Sequence, residues 1–151
     1  MSEPVYASTA DAGDTISPMA AVVPPQPVNG RDLEEALAEA WSRGTSADPD
    51  NWSEENPAWG QCAVTALIVQ DYLGGSLRRG EVGPISHYWN VLPSGEEIDL
   101  TLRQFTEGTT IANTAERTRE YVLSHHETVR RYSKLAQRVQ QRLRGRVLAV
   151  S

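Results

Sequence analysis

The sequence predicts a single α+β domain in which a buried helix, with a cysteine at its N-terminus, packs against a small antiparallel sheet and a long amphipathic helix follows. Three patterns indicate this arrangement. Residues 63–73 are apolar on nearly every side and end at two glycines, residues 85–92 are rich in aromatic and β-branched side chains, and apolar residues recur at helical spacing towards the C-terminus. A chain of 151 residues is long enough for one such domain and short for two.

Residues 1–29 are predicted to be a flexible leader, and residues 30–151 the single domain. The leader is rich in Pro, Ala, Ser, Thr and Asp, and it includes Pro24-Pro25-Gln26-Pro27. Few bulky apolar groups are available there to offset the entropy of ordering the chain. A partner-binding tail is the alternative.

A short helix is predicted directly after the leader. Asn29 or Asp32 can cap it, Gly44 ends it, and its apolar residues recur at helical spacing: Leu33, Leu37, Ala40 and Trp41. Residues 45–58 then form a polar loop that is long for a small domain, and long ordered loops are often functional. The buried helix follows, with Cys62 in its first turn and Gly74-Gly75 at its end.

Three strands are predicted next. Residues 76–82 form a short strand, placed at the sheet edge by Arg78-Arg79. Residues 85–92 form a stronger strand, residues 93–95 turn the chain, and residues 96–100 return it.

A long amphipathic helix is predicted from about Ala115 to Arg144. Its apolar stripe is expected to pack across the sheet or against a second subunit, which leaves a homodimer through this helix open: Val122, Val129, Tyr132, Ala136, Val139 and Leu143. Its basic residues are interpreted as a solvated face that meets the acidic first half of this chain or of a neighbour: Arg130, Arg131, Lys134, Arg138, Arg142, Arg144 and Arg146.

Cys62 is the candidate nucleophile. A thiol attacks as the thiolate, and both a helix N-terminus and a nearby imidazolium favour that form. The free backbone N–H groups of the first helical turn could also stabilise an oxyanion on an attacked carbonyl. Because the chain has a single cysteine, any thiol chemistry falls on this residue and no intramolecular disulfide can form.

His87 and Asp99 are the candidate base and its orienting acid. If residues 93–95 form a three-residue loop with Gly95 left-handed, the hairpin register puts Trp89 opposite Asp99. His87 is then diagonal to Asp99 on the same face, at about 7–8 Å between backbones, and an aspartate can cross that gap. A shift of one residue would send the two side chains to opposite faces.

Each of the three residues also has a structural interpretation. Cys62 could simply fill the core, His87 could serve as a structural hydrogen-bonding group, and Asp99 could begin a helix near Thr101. A cysteine at a helix start, then a histidine, then an aspartate, each on a suitable element, is much rarer by chance. The combination favours catalysis.

Several motifs occur in a fixed order: Gly60-Gln61-Cys62-Ala63-Val64-Thr65-Ala66-Leu67, Gln70-Asp71-Tyr72-Leu73-Gly74-Gly75, His87-Tyr88-Trp89-Asn90, Ile98-Asp99-Leu100-Thr101 with Gln104-Phe105, Tyr121-Val122-Leu123-Ser124, and Arg131-Tyr132. Over about residues 32–145 they resemble the YunG-like family of small bacterial proteins. The order of Cys, His and Asp also resembles the transglutaminase-like and papain-like cysteine superfamily, which includes arylamine N-acetyltransferases. That resemblance implies a papain-like or transglutaminase-like core with Cys62 as nucleophile, His87 as general base and acid, and Asp99 orienting His87.

Five further residues are weaker site candidates. Gln61, Trp59 or Asn56 could add a side-chain donor to the oxyanion site. Trp59, Tyr88 and Trp89 could wall a substrate cleft, although buried aromatic residues more often belong to a core.

The remaining properties exclude several classes of function. A net charge of −6 argues against a dedicated nucleic-acid binder. The sequence contains no stretch of 18 or more apolar residues, the length needed to span a bilayer. No Cys/His cluster has zinc spacing, no glycine-rich phosphate loop occurs, and no cofactor is implied. The N-terminus lacks the features of a signal peptide, so a cytoplasmic location is expected.

The sequence therefore predicts an enzyme that forms an acyl-thioester on Cys62 and passes the acyl group to water or an amine, acting on an amide of a small molecule or peptide. Hydrolysis and amide formation share this half-reaction, and both directions stay open. The alternative is a non-catalytic binding or scaffold module that retains the fold.

Overall fold

The protein consists of a four-stranded sheet and a set of helices, which a computed structural model describes over residues 28–150 with side chains up to residue 146. The predicted leader lies outside the described residues except for Val28 and Asn29. The elements run in the order α1 (Gly30–Ala40), α2 (Cys62–Leu73), β1 (Ser76–Val82), β2 (Ile85–Val91), β3 (Glu97–Ile98), β4 (Ala112–Arg117), α3 (Arg119–Val122) and α4 (His126–Val150). Short 3-10 turns occupy Arg43–Thr45, Pro49–Asn51 and Leu102–Gln104.

The first two helices begin where the sequence predicts, but α1 ends at Ala40, before the predicted end at Gly44, which lies in the 3-10 turn Arg43–Thr45. The Asn29 side chain accepts a hydrogen bond from the backbone N–H of Asp32 at 2.8 Å, which confirms one of the two candidate caps. Helix α2 begins at Cys62 and ends at Gly74, which has a φ of +77°. Leu67, Ile68 and other residues of α2 are fully buried, so this helix forms the centre of the core.

The four strands form an antiparallel sheet in the order β3-β2-β1-β4. The edge position expected for β1 is wrong, because β4 pairs with its free side and makes it a central strand. In the hairpin of β2 and β3, Asn90 pairs with Ile98 and Gly95 has a φ of +94°. The predicted register, on which the placement of His87 relative to Asp99 depends, is confirmed.

The C-terminal third differs from the prediction at its start. Residues 112–117 form β4 instead of helix, and Thr118 then caps the short α3 by accepting a hydrogen bond from the backbone N–H of Tyr121 at 3.1 Å. The long helix α4 begins only at His126. The part of the predicted helix before residue 126 is therefore a strand and a short helix, and only Val122 of the predicted stripe lies there.

Helix α4 packs on α1 and α2 and not across the sheet. Tyr132, Leu135 and Val139 are fully buried in this interface. Part of the basic face meets the acidic first helix, since Arg146 forms ion pairs with Glu35 at 3.1 Å and with Glu39 at 2.9 Å. In the described part of the chain, no helix has the length and apolarity needed to cross a membrane.

Candidate active site

Cys62 is the first residue of α2 and lines a cavity of about 450 Å³. Gly60, with a φ of +74°, makes the turn that leads into the helix, and a Cβ there would lie 2.2 Å from the Ser46 hydroxyl oxygen. The Gly60 N–H donates to the Gln104 side-chain oxygen at 3.1 Å, and its carbonyl accepts from the Ala47 N–H at 2.8 Å. These two hydrogen bonds hold the backbone of Gly60 on both sides, and they fix the position of the sulfur at the N-terminus of α2.

The first turn of α2 also presents free backbone donors. The helix's hydrogen-bonding begins with the N–H of Thr65, which donates to the Gln61 carbonyl at 2.9 Å. The N–H groups of Cys62, Ala63 and Val64 precede it and have no acceptor within the helix. The N–H groups nearest the sulfur are therefore the candidate oxyanion donors.

His87 and Asp99 are in direct contact. The fully buried imidazole donates from Nε2 to Asp99 Oδ2 at 2.5 Å. The other carboxylate oxygen, Oδ1, accepts from the backbone N–H of Thr101 at 3.3 Å. Asp99 is thus held from one side and orients the imidazole from the other.

The second nitrogen of the imidazole, Nδ1, is not used in the contact with Asp99. Among the described residues, none offers the buried Nδ1 of His87 a hydrogen bond of ordinary geometry. The Cys62 sulfur is nevertheless close enough to raise the pKa of the imidazole. In its resting position the thiol donates to the Ser86 carbonyl at 3.6 Å. The sulfur therefore has two neighbours, a carbonyl that accepts its proton in a hydrogen bond and an imidazole that can take the proton.

Opposing effects set the pKa of His87. Burial lowers it, while the hydrogen bond to Asp99 and then the neighbouring Cys62 sulfur raise it, with a net result of about 9. The ring is enclosed by Trp89, stacked at 5.7 Å between centroids, and by the edge of Phe105 at 5.1 Å. At neutral pH the imidazole is therefore held as the imidazolium.

We expect Asp99→Asn to lower the pKa of His87 well below 9, because burial keeps opposing the charged form while the carboxylate that favours it is lost. The imidazolium, present below the pKa and lost above it, should then disappear at a lower pH. The nitrogen chemical shifts of the His87 ring, followed through a pH titration by NMR, measure this directly. The control is Glu97→Gln, two residues away on the same hairpin, which removes a carboxylate that bonds Trp89 and not His87. An unchanged titration in Asp99→Asn would contradict the assignment of Asp99.

Two of the weaker candidates are engaged elsewhere. Gln61 is fully buried, and its amide donates to the Ser42 carbonyl at 2.9 Å while accepting from the Thr45 hydroxyl at 2.9 Å. The Asn56 amide donates to the Gln104 carbonyl at 3.0 Å. Both side chains hold the loop that precedes α2, and neither lines the cavity beside Cys62.

The aromatic candidates divide between the cavity and the imidazole. Trp59 and Tyr88 line the cavity beside Cys62. Trp89 lies behind His87, and its indole N–H donates to Glu97 at 2.9 Å. Trp59 and Tyr88 thus occupy the position expected of cleft walls, whereas Trp89 supports the imidazole.

Arg131 is a site residue that the sequence interpretation missed. The residue was interpreted as part of a solvated face, but it is half-buried and lines the cavity together with Arg79 and Tyr121. A signal was present in the spacing, because Arg131 falls between the buried residues Thr128 and Leu135, three and four positions away on the helix.

Comparison with known proteins identifies relatives but no reaction. The family model described as "YunG protein" matches residues 29–144, which include Cys62, His87, Asp99 and Arg131. Over 69 residues the chain is 41% identical to the "Uncharacterized protein YunG" of Bacillus subtilis (strain 168), and the match covers 46% of this chain and 56% of that protein. The chain thus spans little more than half the length of this relative. No solved structure matches the chain, so a papain-like or transglutaminase-like core stays a prediction.

Proposed function

The chain belongs to the YunG family, and on that premise we propose that it is a cysteine-dependent acyl-transfer enzyme with Cys62 as nucleophile. One observation carries the proposal. The buried His87 is held by Asp99 through one ring nitrogen, while its other nitrogen is unpaired among the described residues and the neighbouring sulfur opens into a cavity. The order of the elements along the chain, with a buried helix that begins at Cys62 followed by the antiparallel sheet, supports a papain-like or transglutaminase-like core.

Acylation begins from a Cys62 thiolate beside the His87 imidazolium, whose Nδ1 holds the proton released by the thiol. The sulfur's electron pair forms a bond to the substrate carbonyl carbon, and the carbonyl π electrons move to oxygen. The N–H groups of the first turn of α2 stabilise that oxyanion. When the intermediate collapses, the bond to the leaving group breaks and the imidazolium donates its proton to the departing amine.

Deacylation runs through the same groups. His87, now neutral, takes a proton from water or an acceptor amine, and that nucleophile attacks the thioester carbonyl. The carbon–sulfur bond breaks, and the sulfur leaves as the thiolate beside the His87 imidazolium, which restores the starting ion pair. Asp99 keeps the ring oriented throughout and stabilises its charged form.

The cavity sets the scale of the substrate. A volume of about 450 Å³ lies in the range of small-molecule sites and accommodates the end of a peptide or a small amide. Trp59 and Tyr88 supply flat, partly apolar walls next to the sulfur. We therefore propose a small-molecule or peptide acyl donor.

Thiol labelling tests the proposal. An ordinary thiol has very little thiolate at pH about 6, so a Cys62 held beside an imidazolium should react with iodoacetamide on the order of 100-fold faster than glutathione does. His87→Ala should lose this advantage, because the residue that accepts the proton is gone. Intact mass spectrometry measures the rate on the single cysteine.

The matched control is His126→Ala, which removes a histidine whose side chain is 93% exposed. Its labelling rate should equal that of the wild type. If the wild type reacts no faster than glutathione, Cys62 is not activated and the chain is better described as a binding or scaffold module.

A further inference from the structure

The cavity beside Cys62 has a cationic side. Two arginines line it, Arg79 and Arg131, against a single carboxylate among the described lining residues, that of Asp48. The Asp48 carboxylate is already bonded by the Trp59 indole N–H at 3.0 Å and by the Asn51 amide at 2.9 Å. The potential inside the cavity is therefore set by the arginines.

The two arginines differ in how far the protein neutralises them. Arg79 donates to the Ser86 hydroxyl at 2.5 Å and lies 4.0 Å from the Glu81 carboxylate. Within the described part of the chain, no carboxylate lies within 4 Å of the Arg131 guanidinium. The nearby Glu127 is paired with Arg130 at 2.8 Å. Arg131 is thus the cation of the cavity that lacks a counter-charge.

Arg131 is also poorly satisfied as a hydrogen-bond donor. Its one described bond runs from Nη2 to the Thr128 hydroxyl at 3.3 Å, and its Nε is buried without a partner in the described residues. Burial lowers the pKa of this guanidinium, with the charge of Arg130 acting in the same direction. A half-buried arginine with free donors in a cavity is a site for an anionic oxygen group, and its planar fork matches a carboxylate.

Arg131 stands where it can act on a substrate that reaches Cys62. Both residues line the same cavity, and a thiolate at Cys62 would be near enough to raise the pKa of the guanidinium. An adjoining recess of about 440 Å³ shares Arg131, Ser124 and Thr128 with the first cavity, so there is room for a substrate that extends past the sulfur.

We propose that the acyl donor carries a carboxylate, and that Arg131 binds this carboxylate while the donor's carbonyl faces Cys62. This specificity rests on the proposed acyl-transfer function. Arg131 selects the substrate and takes no part in breaking or forming bonds.

Two esters of the same size test the proposal. One is the p-nitrophenyl monoester of adipic acid, and the other is its neutral analogue, in which an isopropyl group replaces the free carboxylate. The wild type should favour the anionic ester in kcat/KM. Arg131→Met should reduce the anionic-to-neutral ratio by about 10- to 100-fold, the range expected for loss of a charge-assisted hydrogen bond, and Arg131→Lys should reduce it less.

The control variant is Arg142→Met, which removes an exposed arginine of α4 that lines neither the cavity nor the recess and should leave the ratio unchanged. If both esters are turned over through Cys62 and Arg131→Met leaves the ratio as it was, the specificity proposal is overturned while the proposed function stands. If neither ester is turned over, the proposed function has failed for these donors. A binding measurement then tests the anion site at Arg131 by itself. NMR titration of Cys62→Ala should then show adipate binding that adipamide does not show and that the added Arg131→Met removes, whereas equal behaviour of the two compounds overturns the site.

Discussion

Replacing Cys62 by alanine is expected to lower kcat for acyl transfer by about 10⁴- to 10⁶-fold, the range found when a covalent nucleophile is deleted. The chain has no second cysteine that could substitute for it. What remains, the cavity and the free N–H groups of α2, can bind a substrate and polarise its carbonyl but cannot form the thioester. Turnover of a p-nitrophenyl ester measures the loss, and intact mass measures the missing acyl adduct.

The fold should survive this substitution, which makes the result interpretable. Cys62 is 8% exposed, it makes a single weak hydrogen bond to Ser86, and alanine is well suited to the first turn of a helix. Circular dichroism and Tm should therefore match the wild type within a few degrees. Turnover that persists in Cys62→Ala at the wild-type rate would contradict the nucleophile assignment.

Removing the charge of Arg119 is expected to cost about 2–4 kcal/mol of the free energy of unfolding, because the mostly buried Asp71 carboxylate loses its counter-charge while Arg119 itself is partly exposed. The Arg119 guanidinium lies 2.7 Å from Asp71 and donates to the Tyr132 hydroxyl at 2.7 Å and to the Gln70 side chain at 2.9 Å. Tyr132 in turn donates to Asp71 at 2.5 Å. This network joins α3, α2 and α4, so its loss weakens the contacts among all three helices.

The pH dependence of the stability of Arg119→Met shows whether the unpaired Asp71 carboxylate causes the loss. Burial raises the pKa of Asp71 to about 6, and Arg119 is the largest influence that lowers it. Without Arg119 the folded-state pKa should rise further above the unfolded value of 3.8, so the charged carboxylate destabilises the folded state at neutral pH. Stability of the variant should therefore recover as the pH falls from about 7 towards 4, where the folded state holds the proton.

Urea denaturation at a series of pH values measures both effects. Arg142→Met, an exposed arginine on α4, serves as the control and should change stability by less than about 0.5 kcal/mol. Adding Asp71→Asn to Arg119→Met should restore part of the loss, because the unpaired charge is then absent. A double variant no more stable than Arg119→Met at neutral pH would show that packing, and not the buried carboxylate, accounts for the cost.

The hairpin and the positions of Cys62, His87 and Asp99 could be predicted because short-range rules fix them. A three-residue turn with a left-handed Gly95 determines the register, and the register determines which side chains share a face. A helix start after Gly60 and a helix end at Gly74 are likewise set by local backbone chemistry.

Strand β4 could not be predicted in the same way. Its six residues are mostly exposed and show no alternation of apolar and polar side chains, so the strand is held by backbone pairing to β1. The edge position of β1 was predicted from Arg78-Arg79, and the pairing of β4 with β1 overturns it. The position of Arg131 in the cavity could not be predicted either, because a charged residue on a helix is assigned to the solvent-exposed face until the packing partners of that helix are known.

Helix α2 carries Cys62 at one end and several fully buried residues along its length, including Leu67 and Ile68. Side chains that would meet the rest of a ligand come from elsewhere, among them Trp59 before the helix and Tyr121 and Arg131 after the sheet. In the proposed enzyme, reactivity and selectivity would therefore reside on separate parts of the chain. We expect exchanges at the rim of the cavity to change which ligands are accepted without disturbing the rigid helix that bears the sulfur, and this would make the scaffold a practical starting point for engineering altered selectivity.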